Sequence, residues 1–389
     1  MFSVLEQSWN TVRRRGFIYP HLIALVASAA VGIAAAQSTQ ALPIRELSLA
    51  EAIPFVSTPT ISAMLTETKC DVKGNIYTVQ STVPPPTTGP SNLSSLPVSK
   101  LVLDAKLIVP YPVPAIDHYS GIIRTGFDVG ADGTLYALLT GIDTTSTDKK
   151  SRYAFFVARY KDDGSLDSYV RLGDAPKGRV QPWRLSAFKN GNVLVTGTVK
   201  DGESLTQVVT VFDSFGRFVR YVDLSQNHGT RQTISGKKNP SKNDSDVGIV
   251  SSSLMVSGAD GNVYLLPVSD HPRLYAVSPY GEVLEQFDIS LPIVGVSATN
   301  MAIAADSSLL INFEHVYGAA SSDLNPDIPR HVIAVINTHT GEVSGVYRLP
   351  HEPEGISSAA CAASQDSFLF LGVTDDQQHQ QITRYSAKD

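Results

Sequence analysis

The side chains with the most chemical potential in this sequence are histidines that stand next to carboxylates. Asp117 precedes His118, Asp270 precedes His271 and Glu314 precedes His315, while Glu352 and Glu354 follow His351. Imidazole and carboxylate together hold a divalent metal or act as an acid–base pair. The competing reading is that connections between strands collect polar residues, and that histidine is seldom placed in strands packed on both faces. Nothing else in the chain supplies a reaction outright. No nucleophile elbow, Walker loop, H-E-x-x-H, C-x-x-C or glycine-rich dinucleotide fingerprint occurs. Asp162-Asp163-Gly164 lacks the remaining ligands of a calcium loop at EF-hand spacing, so it reads as a turn. Trp183 beside Arg184 is able to stack on a sugar or a peptide, and equally to fill a gap between sheets. The segment 227–244 brings Arg231, Lys237, Lys238 and Lys242, a basic stretch for an anionic partner or, given its Gly, Ser and Asn, a mobile loop.

The elements that must position these residues repeat. An apolar strand, a tight polar turn and a second apolar strand recur around Lys73-Gly74-Asn75, Asp132-Gly133-Thr134, Asn190-Gly191-Asn192 and Asp260-Gly261-Asn262. Degenerate copies follow at Asp306-Ser307-Ser308 and Gln365-Asp366-Ser367. The D-G and N-G pairs are those of two-residue hairpins with positive φ. A second hairpin closes on Gly164, Gly216, Gly281 or Gly341. Turn spacings of 59, 58, 70, 46 and 59 residues then imply six units of four strands, an all-β, six-bladed β-propeller. A two-domain β-sandwich does not explain the ordered alternation of the two hairpin types. The first unit must draw its outer strands from 99–109, after the proline-rich stretch holding Pro84, Pro85, Pro86 and Pro90. The last unit stops at Asp389 before a fourth strand, and residues 43–49 offer that strand, so the ring is expected to be closed by the N-terminal strand.

The aspartate–glycine turn ahead of Val263-Tyr264 resembles the NHL type of six-bladed propeller, a resemblance at the level of fold that covers residues from about 44 to the end. Glu354-Gly355 resembles the glutamate–glycine with which gluconolactonase-like propellers supply a metal ligand. The asparagine and aspartate motifs of that family are not in matching places, so its activity does not carry over. Two function classes follow. One is a recognition scaffold for a protein, peptide or glycan. The other is a metal-assisted hydrolase or lactonase at the channel mouth, which alone calls for a cofactor, a divalent metal. In a four-stranded unit the long connections lie on one face and the tight turns on the other. Seven of the nine histidines map to the long connections, so binding is expected there, through His118, Glu314, His315, His351 and Glu354.

Cys70 and Cys361 fall in the first strands of units one and six, neighbours only in a closed ring. A disulfide there has an idealised value of roughly 4–5 kcal/mol. Their offsets from the following turn differ by one residue, which leaves buried free thiols as the alternative.

Residues 1–36 form a separate class of sequence: Arg13, Arg14 and Arg15, an apolar stretch, then Ala34 and Ala36 before Gln37. This is the pattern of a signal peptide, with 37–389 as one propeller domain. The apolar stretch is also near the length of a membrane anchor, and Arg14-Arg15 resembles a twin-arginine export motif. Cleavage removes three Arg and one Glu, a net of +2, and takes the charge from −6 to −8. Such a chain has no general attraction for nucleic acid. The sequence thus describes an exported, periplasmic or secreted monomer with no membrane span after cleavage. N-terminal sequencing of exported material is expected to begin at Gln37 or within a few residues of it; a retained Met1 would favour the anchor.

Overall fold

The computed structural model describes residues 42–55, 68–79, 96–147, 152–201, 204–225, 249–269, 272–291, 296–315, 331–349, 360–364, 367–373 and 380–387. The chain divides into two units, Met1–Ala41 and Leu42–Asp389. The described residues all belong to the second, so residues 1–36, where a signal peptide is expected, lie outside them, as do the basic stretch 227–244 and the prolines at 84–90.

The second unit is all β. Four antiparallel four-stranded blades come in chain order. The first holds β2 (Thr68–Cys70), β3 (Ile76–Val79), β4 (Val98–Val102) and β5 (Leu107–Tyr111). The second holds β6 (Tyr119–Val129), β7 (Leu135–Asp143), β8 (Tyr153–Tyr160) and β9 (Leu166–Arg171). The third is β10 (Val180–Ala187), β11 (Val193–Asp201), β12 (Ser204–Phe212) and β13 (Phe218–Tyr221). The fourth is β14 (Ile249–Ser257), β15 (Val263–Val268), β16 (Arg273–Val277) and β17 (Val283–Asp288).

The last two repeat units are not separate sheets. β18 (Val296–Ile303), β19 (Leu309–His315), β20 (His331–Ile336) and β21 (Val343–Arg348) run on through β1 (Ile44–Phe55) into β24 (Gln380–Ala387), β23 (Ser367–Val373) and β22 (Ala360–Ser364). Six separate blades are therefore corrected to four blades and one eight-stranded sheet in a propeller-like arrangement. The physical reason is the length of β1, which uses both of its edges. Ile44–Glu46 pair in parallel with Val346–Arg348, and Leu47–Phe55 pair antiparallel with β24, with a register shift between Leu49 and Glu51.

Apolar clusters fill the spaces between successive sheets. Phe156 lies between blades one and two, and Phe212 between two and three. Tyr275 sits between three and four, and Phe313 between blade four and the eight-stranded sheet. Phe368 fills the space between the two halves of that sheet. A further cluster joins Ile53, Leu369 and Ile382 to Ile76 and Leu101 of the first blade. Within it the sulfurs of Cys70 and Cys361 are bonded, joining β2 to β22. Their one-residue difference in offset does not hold them apart, since the Cα atoms are 5.8 Å from one another, within bridging range.

The tight turns differ from two-residue hairpins. Gly130 N–H donates to Thr134 O at 2.9 Å and Gly133 N–H to Gly130 O at 2.8 Å, enclosing a three-residue loop. Only the glycine, at φ +85°, is left-handed. This is a type I turn closed by a bulge. The Asp132 carboxylate accepts from Thr134 N–H at 3.0 Å, and Asp163, Asn190, Asp260 and Asp306 repeat the contact. Asn and Asp at this place thus supply a side-chain acceptor rather than a positive φ.

The outer turns also lock neighbouring blades. Gly216 (φ +78°) lies so close to β9 that a Cβ would meet Arg171 O at 2.1 Å, and Gly216 O accepts from Gly173 N–H at 2.8 Å. In the degenerate copy Ser307 occupies the glycine position at φ +69°. Gly216→Ala is expected to cost about 2–5 kcal/mol, from the left-handed φ and the backbone clash together. Ser307→Gly should raise stability by about 0.5–1 kcal/mol. Urea unfolding of both variants checks the pair; equal and small effects would contradict this account of the turns.

Candidate functional site

Three of the five sequence candidates are described. His118 precedes β6 with an exposed side chain and a left-handed backbone (φ +66°). Its carbonyl accepts from Thr144 N–H at 3.0 Å and Thr144 Oγ1 at 2.9 Å, tying the entry of β6 to the exit of β7. Glu314 and His315 end β19, where Glu314 lies opposite Ser297 and His331. These positions share the strand ends that lead into long connections, but His118 belongs to the second blade and the other two to the eight-stranded sheet. His351 and Glu354 lie outside the described residues, as do Asp270 and His271. Among the described residues no three His, Cys, Asp or Glu side chains assemble as a metal-ligand group.

A cavity of about 310 Å³ opens on the other face, between the turns of blades one and two. Asp71, Lys73, Lys100, Asp132, Arg159 and Asp162 are among its walls. Asp71 is buried yet amply hydrogen-bonded. Its Oδ1 accepts from Lys73 and Asn75 N–H, both at 2.9 Å, and its Oδ2 from Asn75 Nδ2 at 2.7 Å and the Tyr77 hydroxyl at 3.2 Å. Burial first, and then the Asp71 charge, push the Tyr77 hydroxyl well above the usual phenol range, so its proton stays in place as a donor. Tyr111 is raised too, by burial and then by Asp162. Lys100 Nζ meets Asp162 Oδ1 at 2.5 Å, and Arg159 Nε lies 3.6 Å from Asp167 Oδ2. Asp162-Asp163-Gly164 is the plain turn its sequence suggests, with the Asp163 carboxylate accepting from Ser165 N–H and Oγ. The Asp71 network and the Lys100–Asp162 and Arg159–Asp167 pairs hold turns and blades together.

A second polar cluster lies among the innermost strands. β10 packs against β6 and β14, and β14 against β18, while β18 contacts both β22 and β2. From β2, Lys69 Nζ donates to Met255 O of β14 at 2.8 Å and lies 3.5 Å from Asp128 Oδ1 of β6. Asp128 Oδ2 accepts from Ser186 Oγ at 2.6 Å, Ser257 Oγ at 3.2 Å and Ala187 N–H at 3.3 Å. The side chains of the ion pair are 9% and 1% exposed, so both charges have left water. Sequence reasoning passed over this pair. The signal was present: Lys69, Asp128 and Ser186 each stand two residues ahead of a turn's first residue (Asp71, Gly130 and Phe188).

Removing one partner of such a pair leaves a buried charge, so Lys69→Met is expected to cost about 3–5 kcal/mol. Lys69→Met with Asp128→Asn should recover much of that loss, because no net charge then remains buried. Chemical denaturation of the single and double variants measures both; a double variant no better than the single one would contradict the charge argument.

No family model matches this sequence, and no curated protein matches it. Solved structures do resemble it. A protein of unknown function from Dyadobacter fermentans is 11% identical with a TM-score of 0.50, over 89% of this chain and 100% of that one. A luciferin-regenerating enzyme, 11% identical, aligns over 87% of this chain and 95% of its own with a TM-score of 0.43. A Hadza microbial sialidase, 9% identical, aligns over 83% of this chain and 65% of its own with a TM-score of 0.46. Identity this low speaks of fold alone, and the two enzymes align too loosely to carry any argument about activity. What the sheets establish is an all-β chain of propeller-like arrangement.

Proposed function

We propose that the chain is an exported six-bladed β-propeller of NHL-like type, acting as a non-catalytic scaffold that binds a protein, peptide or glycan on the face of its long connections. The six-blade count takes β18–β21 as the fifth blade and β22–β24 with β1 as the sixth, so that β1 both completes the last blade and ties the ring. Its pairing with β24 on one edge and β21 on the other supports that reading, as does the disulfide between β2 and β22.

The observation that carries the binding role is the asymmetry of the two faces. The described turns of one face are loops of three or four residues, most of them held by side-chain caps, with little room to vary. The connections of the other face include 56–67, 80–97, 222–248, 316–330 and 350–359. Rigid strands carrying long variable connections are the common architecture of recognition surfaces. Around the cavity on the turn face, Asp71, Lys100, Asp132, Arg159, Asp162 and Asp167 are engaged in holding the fold. His118, Glu314, His315, His351 and Glu354 remain the proposed contacts.

Protein, peptide and glycan arrays probed with the full chain test this. Binding is expected from the wild type and should be lost when all five residues are changed to Ala. Exposed substitutions of this kind typically shift stability by about 0.5 kcal/mol or less each, so the melting temperature should move little. Silent arrays, or binding that survives the five changes but is abolished at Asp163 or Tyr280, would overturn the assignment.

A further inference from the structure

We propose that the space enclosed by the innermost strands is a saccharide site, with the indole of Trp183 as its stacking platform. This rests on the scaffold reading above and narrows the ligand to a sugar ring.

Trp183 is placed by a repeated irregularity. The β10–β11 register shifts between Pro182 and Arg184, which leaves Trp183 without a ladder partner. The same shift occurs in β6 between Arg124 and Gly126, leaving out Thr125, and in β18 between Ala298 and Asn300, leaving out Thr299. Each of the three residues stands five positions ahead of its turn's first residue: Gly130, Phe188 or Ala304. The repeat therefore sets an indole and two hydroxyls at one level of the inner strands. Their β14 counterpart, Ser253, is buried and donates to Val250 O at 2.7 Å. Bulges re-aim side chains and gather next to binding sites.

Trp183 is 50% exposed on the innermost strand of its blade, with β11 along one edge and β6 and β14 packed beside it. Those neighbours leave the enclosed space and its mouth as the directions open to the ring. An indole held half in water contributes little of its apolar area to folding, whereas an occupant would cover it. The polar groups at the same level are weakly held. Thr125 Oγ1 lies 3.3 Å from Leu138 O, and Thr299 Oγ1 lies 3.3 Å both from Asn312 O and from Asn312 Nδ2. Beside Thr299, Asn300 is only 9% exposed and its Nδ2 has no hydrogen-bond partner. A buried amide donor without an acceptor is costly unless a ligand supplies one. Nearer the turns, the Lys69–Asp128 pair is internally neutral. A stacking face, hydroxyls and an amide donor around a compensated charge suit a neutral polyol, whose C–H face packs on indole while its hydroxyls exchange hydrogen bonds. An apolar ligand would leave the amide unsatisfied.

The sequence holds two tryptophans, Trp9 and Trp183. In the full chain carrying Trp9→Phe, emission therefore reports Trp183 alone. Cellotetraose, chitotetraose, maltotetraose and mannotetraose are titrated into this protein by fluorescence and calorimetry. At least one is expected to shift the emission saturably. Trp183→Ala should weaken its binding at least tenfold, with Trp183→Phe between the two and an unchanged melting temperature. Absence of a saturable shift with all four sugars overturns the proposal, as does full affinity in Trp183→Ala. Array binding of a protein or peptide that depends on the five loop-face residues but not on Trp183 overturns the saccharide site while leaving the scaffold reading intact.

Discussion

An ammonium group and a carboxylate, both removed from water, meet where the innermost strands converge. Taking Lys69 and Asp128 into the interior costs several kcal/mol per ion, and their attraction offsets this only if the remaining donors and acceptors are also met. The surroundings supply groups from different blades: Met255 O on the lysine, and Ser186, Ser257 and the Ala187 amide on Oδ2 of the aspartate, whose Oδ1 faces the lysine at 3.5 Å. A shift of any of these strands by one residue would move its contribution to the opposite face. The pair therefore specifies the mutual register of four inner strands, which apolar contacts alone specify loosely. The register of the bulges follows, because Thr125 and Trp183 lie three positions before Asp128 and Ser186 on the same strands.

The periphery is held differently. There, the outer turns of the second to fourth blades and of β20–β21 press a glycine against the preceding blade, as Gly164 does on Pro110 and Gly216 on Arg171. Buried hydroxyls reinforce the contact: Tyr160 donates to Pro112 O at 2.7 Å, and Tyr111 Oη lies 3.3 Å from Asp162 O. Glycine at these turns thus meets two requirements at once, a positive φ and a surface without a Cβ. The inner turns lack the second requirement. A Cβ on Gly261 would meet only Lys189 Cβ, at 3.8 Å. This is why the inner series tolerates Ser307 at the glycine position, at the cost of a strained backbone but without a collision.

Much of the architecture was legible because it is written in local chemistry. Aspartate or asparagine before glycine, flanked by apolar alternation, marked the turns whether or not the exact turn type was read correctly. The outer strands of the first blade fall on 99–109 as expected, extended to Tyr111. What was not legible depends on partners distant in sequence. Whether a strand ends one sheet or joins two is decided by hydrogen bonds on its second edge. The parallel pairing of Ile44–Glu46 with Val346–Arg348 leaves no trace in alternation or turn residues. A charge such as Lys69 reads as an anomaly in its strand until Asp128, far along the chain, is beside it. The sites of chemistry were harder still. Four histidine–carboxylate groupings looked equivalent in sequence, yet His118 and Glu314 stand in different sheets, and the His271 and His351 segments lie outside the described residues.

These constraints divide the molecule. The turn-side ends of the strands carry the buried pair, the capped turns and the interblade glycines, so substitutions there are read directly as stability. The opposite ends carry the bulges and the long connections, where ladder pairing has already been relaxed. A bulge costs a strand some of its regularity, and a repeat that retains one at the same level in β6, β10 and β18 keeps it despite that cost. An exposed indole adds to it, since ordering a large apolar side chain without burying it brings little return. Both costs fall on the same level of the same strands, away from the groups that hold the inner register. That separation lets the bulge level change its side chains while the charge pair beneath keeps the strands aligned, the arrangement expected where binding is built on a framework that must not move.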